Sequence, residues 1–151
     1  MSSLRVSILL CIFISSVGAA QAKSCPAEKA HYSIAGAKGF ALSFKKAKEP
    51  NAWSDLIAVL KTPTRLLEYS FTASNGYSNN YLVPLPYDEK DDSTIHFYGF
   101  DKNLKITDLP NLGKAAPLQL FIPELGTVLY YGDVDKREFL PTEMWNLSCT
   151  N

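Results

Sequence analysis

Residues 51–64 read "NAWSDLIAVLKTPT". Trp53, Leu56, Ile57 and Leu60 fit the i, i+3, i+4, i+7 stripe of an amphipathic helix. The same residues fit a short apolar strand, Leu56 to Lys61, ending in a Thr62-Pro63-Thr64 turn. Length decides between them. Ser54 and Pro63 leave fewer than ~10 residues, short for a globular helix. The strand reading is favoured, with residues 65–72 pairing back on it. The helix stays open as the alternative.

The flanking sequence argues for β. "FALSFKK" (40–46) alternates Phe40, Leu42 and Phe44 with Ala41, Ser43 and Lys45, the period of a half-buried strand. "RLLEYSF" (65–71) alternates Leu67, Tyr69 and Phe71. "TIHFYGF" (94–100) is aromatic and β-branched, as strands prefer. "PLQLFIPELGTVLYYGD" (117–133) reads as strand, turn, strand, with Pro123 and Gly126 in the turn. Leu118, Leu120 and Ile122 would face one way on its first arm, Val128 and Tyr130 on its second. A helical turn is predicted after Pro141, capped by Thr142 and pressing Trp145 and Leu147 onto the core. Long connections are expected at 23–38, 86–93 and 101–116. These elements predict a mainly β, single-domain antiparallel sandwich or small barrel with a short C-terminal helical turn.

The N-terminus belongs to targeting. Arg5 is followed by an uncharged run, Val6 to Val17, and then by Gly18-Ala19-Ala20-Gln21-Ala22. A basic start, a dozen apolar residues and a small-x-small ending make a cleaved signal peptide over 1–22. The run is short of the ~20 residues that span a bilayer. Residues 23–151 then form one exported domain, periplasmic or extracellular, with no further stretch apolar enough for a membrane span.

The chain carries 15 basic and 15 acidic residues. Losing Arg5 leaves the exported part slightly acidic, which argues against nucleic acid as a partner. Of three cysteines, Cys11 leaves with the signal. Cys25 and Cys149 remain near the two ends, and export pairs them most simply as a disulfide.

Catalytic patterns are sparse. His31 and His96 have no second histidine at ligand spacing, and His96 sits in an alternating strand, where a ring bonded to a neighbour is the default reading and a base or ligand the alternative. No Gly-x-Ser-x-Gly elbow or phosphate-binding glycine loop occurs. "YDEKDDST" (87–94) gathers Asp88, Glu89, Asp91 and Asp92, but Lys90 interrupts it and the calcium-loop spacing is missing; it reads as a solvated loop. The expectation is no metal and no cofactor. The sequon Asn146-Leu147-Ser148 matters only in a eukaryotic secretory pathway. Glu68, Asp101, Asp133 and Asp135 are the acids available to a carboxylate-dependent hydrolase.

Recognition chemistry is better represented. In "SNGYSNNY" (74–81), Tyr77, Asn79, Asn80 and Tyr81 combine rigid amphipathic rings with amide donors and acceptors. The simpler reading is that Asn75-Gly76 makes a hairpin turn and the tyrosines cover the core edge. Tyr130 and Tyr131 would point to opposite faces of a strand. The stretches "SNGYSNNYLVPLP" and "LFIPELGTVLYYGD" resemble segments of small exported bacterial proteins of uncharacterised function, over about a third of the chain. That resemblance implies export and no activity. The expected function is a non-catalytic binding or inhibitor-type module for an envelope protein or glycan; the alternative is a small hydrolase.

Overall fold

The computed structural model describes residues 25–74, 79–88 and 93–149. The proposed signal peptide, Tyr77, and Glu89 to Asp92 lie outside these residues. A 3-10 turn, Ala27–Lys29, leads into β1 (Ala30–Ser33). There follow β2 (Ala41–Lys46), β3 (Leu56–Lys61), β4 (Leu66–Ala73), β5 (Asn80–Leu85), β6 (Ile95–His96), β7 (Tyr98–Phe100) and β8 (Gln119–Phe121). One helix, α1 (Leu125–Tyr131), precedes the last strand, β9 (Met144–Cys149).

All pairings are antiparallel, in the order β6-β5-β4-β3-β2-β1-β9-β8-β7. The two end strands, β6 and β7, are separated in the chain by Phe97 alone. The sheet therefore curls round until its ends nearly meet, which leaves little edge for other chains to pair with. Among the described residues the fold is a nearly closed, barrel-like antiparallel sheet with a short helix near its C-terminus.

Residues 56–61 are a strand, with Leu56, Ala58 and Leu60 buried. β4 pairs back on it, Leu60 opposite Leu67 and Ile57 opposite Ser70. The inward rows of β1 to β4 carry Tyr32, Phe44 and Phe71, and Phe97 completes the cluster from the seam. Their ring centroids lie 5.1 to 6.4 Å apart, mostly edge to face. Each such ring contributes roughly 1.5–3 kcal/mol by leaving water. The Tyr32 hydroxyl donates to the Pro117 carbonyl at 2.9 Å, and burial pushes its pKa far up.

Five local expectations change. The second arm of 117–133 is α1, because Leu125 and Leu129, four apart, are the residues buried. The apparent Val128/Tyr130 alternation is a coincidence of a two-turn segment. Residues 144–149 are strand where a helical turn was expected: the Thr142 hydroxyl accepts the Met144 amide, but β1 and β8 pair with the segment on both sides. Trp145 is nonetheless fully buried. The expected connection 23–38 contains β1, and 94–100 is broken at Phe97, which turns inward and donates its amide to the Asn80 carbonyl. Leu118, placed on a core face by alternation, is exposed.

Cys25 and Cys149 form a disulfide across a separation of 124 residues. α1 lies by the Leu67 and Pro84 end of the β4–β5 hairpin. There the Arg65 guanidinium bonds both the Leu129 carbonyl and the Glu138 carboxylate. No helix among the described residues is long and apolar enough to cross a membrane.

Candidate functional site

The opposite end of the β4–β5 hairpin, where Ala73 pairs with Asn80, opens into a cleft of about 700 Å³. One wall is Trp53. Its loop is laced by side chains that cap backbone groups. Asn51 Oδ1 accepts the amides of Trp53 and Ser54 at 2.8 and 2.9 Å, and Asn51 Nδ2 donates to the Phe71 carbonyl at 2.8 Å. The Ser54 hydroxyl donates to the Pro110 carbonyl. Asn111 Oδ1 accepts the Asp55 amide at 3.2 Å, and Asp55 Oδ1 accepts the Leu112 amide at 2.8 Å. The indole itself is 41% exposed. A large ring is thus left half in water on a loop that has little freedom to withdraw it.

The second wall is the hairpin end, Ser74 and Asn80. The third is the segment Lys105 to Asp108, carried on the β7 edge. Phe100 bridges Ile106, and the Thr107 amide donates to the Gly99 carbonyl at 2.9 Å. Gly99 permits this approach: a Cβ there would stand 2.6 Å from Thr107 Oγ1 and 2.7 Å from the Pro117 ring. The buried Thr107 Oγ1 has no hydrogen-bond partner among the described residues.

Strand alternation divides the recognition residues read from the sequence. Asn80 lines the cleft. Tyr81, next in the chain, faces the outer surface and packs on His96 at 4.8 Å between centroids. Asn79 contributes its carbonyl to the Ser74 amide. Trp53, Lys105 and Asp108 carry no sequence motif. Trp53 had a place on a core stripe, and its setting among Pro50, Asn51 and Ser54 is the one signal of a turn.

Tyr81 opens an outward row with His96, Tyr98 and Phe121, stepping 4.8, 5.9 and 6.3 Å. Glu124 fixes His96 twice: Oε1 meets Nδ1 at 2.7 Å and Oε2 accepts the backbone amide at 3.0 Å. Burial pushes the Glu124 carboxyl up, but the His96 hydrogen bonds outweigh it and hold it below the usual range. This pair has the form of a seam latch. The Asn146 side chain of the sequon accepts a hydrogen bond from Gln119 within the sheet. No group of three metal-ligating side chains occurs among the described residues.

No family model matches this chain, and no curated protein and no solved structure matches it.

Proposed function

We propose that this is an exported, non-catalytic domain that binds a glycan of the cell envelope in the Trp53–Asn80 cleft. The observation that carries the reading is the half-exposed indole on a braced loop, facing an amide (Asn80), a carboxylate (Asp108) and a cation (Lys105). A sugar ring presents an apolar face and a polar rim, which suit a fixed aromatic wall with few polar partners. The N-terminal targeting pattern and the disulfide support export. Asp108 is the only carboxylate among the described cleft residues, whereas glycoside hydrolysis ordinarily uses two; binding is therefore preferred to the hydrolase reading.

Trp145 is fully buried, so a ligand-induced change in indole emission reports Trp53. Titration with an N-acetylhexosamine tetrasaccharide and a hexose tetrasaccharide should change emission with at least one. Trp53→Ala should weaken that binding by about tenfold or more while Tm moves by less than about 3 °C. No response to either sugar, or unchanged affinity in the variant, refutes the assignment.

A further inference from the structure

We infer that the ligand of the cleft is an anionic glycolipid, whose acyl chain lies in a second, apolar cup beside the sugar site. This rests on the glycan reading above. The cup is formed on the outer face by Phe100, Leu104, Phe121, Met144 and the stem of Gln119, about 240 Å³ in all. Gln119 turns its amide away, donating to Asn146 at 3.1 Å. The surface left to a ligand is hydrocarbon and sulfur.

Leu104 is the residue that needs an explanation. Its φ is +59°, the left-handed region where glycine is at home and leucine is strained. It is also 69% exposed, so burial within the domain gives little in return. A large apolar side chain held against both backbone preference and water points to a use outside the fold.

The neighbouring residues define that use. Leu104 lines the cup, and Lys105 and Ile106, the next two residues, line the cleft. The two cavities therefore adjoin across one hairpin tip. Lys102 and Lys105 are exposed on that tip. Its one acid, Asp101, turns Oδ1 to the amides of Asn103 and Lys105 at 2.8 and 3.0 Å. Sugar wall, cations and hydrocarbon cup thus follow one another in the order in which a phosphoglycolipid presents its sugar, phosphate and chain. The cations select an anionic linker, and the chain's covalent tie to the sugar makes it the occupant of the adjoining cup.

The test is calorimetric titration of the oxidised protein with N-acetylglucosamine 1-phosphate and with its octyl phosphodiester, both below the micelle threshold. The octyl compound should bind at least about tenfold tighter. Leu104→Gly should abolish that gain and keep the headgroup affinity. Its Tm should stay unchanged or rise by up to about 4 °C, because glycine relieves the left-handed residue. Headgroup binding with no gain from the chain, or a gain that survives Leu104→Gly, overturns the lipid inference and leaves the glycan site standing. No binding of either probe overturns the lipid inference, and a tetrasaccharide titration that is also silent overturns the glycan reading with it.

Discussion

Reducing the Cys25–Cys149 bond should lower Tm by about 10–20 °C without changing the native fold. The two ends are held independently of the sulfurs. The Ala116 amide donates to the Cys25 carbonyl, the Ala27 amide donates to Lys114, and β9 pairs with β1 from Ala30–Cys149 to Ser33–Asn146. The bond therefore acts chiefly on the unfolded chain, which it closes into one loop. For a separation of 124 residues the chain-entropy treatment gives about 16–17 cal/mol/K, or roughly 5 kcal/mol at 25 °C. At about 2.1 cal/mol/K of unfolding entropy per residue, a domain of this size loses roughly 19 °C. A compact denatured state reduces that figure, hence the lower bound. Thermal melts followed by circular dichroism, with and without dithiothreitol, and of the Cys25→Ala/Cys149→Ala variant, measure it. The reduced and variant proteins should agree. A fall below about 5 °C refutes the loop argument. So does loss of amide protection confined to β1 and β9 with global stability unchanged, which would make the bond a local clasp.

Two further changes probe the braces. Glu138 is buried against Arg65 and hydrogen-bonded by Thr62 and Thr64; burial pushes its carboxyl up, but those partners hold it below its ordinary 4.5. Its stabilising effect is therefore complete above about pH 5 and lost as pH falls through the folded value. Glu138→Gln should cost about 3 kcal/mol at pH 7 by leaving a buried guanidinium short of its counter-charge, and less at pH 3, as urea denaturation across that range would show. An equal cost at both pH values counts against the ion pair. Gly99→Ala should destabilise by about 1–3 kcal/mol, because its Cβ would meet Thr107 and the Pro117 ring below van der Waals distance. It should weaken sugar binding as well, since the Thr107 wall must move; a variant with wild-type Tm would show that the wall gives way freely.

Sequence pattern reached the strands whose side chains alternate over several residues. β2 and β4 show Leu42/Phe44 and Leu67/Tyr69/Phe71, all on inward rows, and the pattern survives because a one-residue slip would expose every one of them. β1 gives no such pattern: in four residues only Ala30 and Tyr32 turn inward. α1 has two turns and two buried leucines, too few to separate period 3.6 from period 2. At 142–145 the local capping signal was present and real, yet pairing on both edges of β9 outweighed it. The site was harder still. Its walls come from three separated segments, and adjacency in sequence misleads on a strand, which sends Asn80 to the cleft and Tyr81 to the outer row.

The residues that decided the fold also decide the site. Had 51–61 been a helix, Trp53 would have shared a buried stripe with Leu56, Ile57 and Leu60. Because the strand begins only at Leu56, Trp53 is left in the preceding turn, outside the alternation that buries its neighbours. The same turn needs polar residues to satisfy its backbone, and Asn51, Ser54 and Asp55 provide them, locking it to the 110–112 segment. That lock ties the turn carrying Trp53 to the segment that follows Asp108. Shape at this end of the barrel therefore follows from backbone satisfaction in one turn, and a ligand would meet an indole already in place.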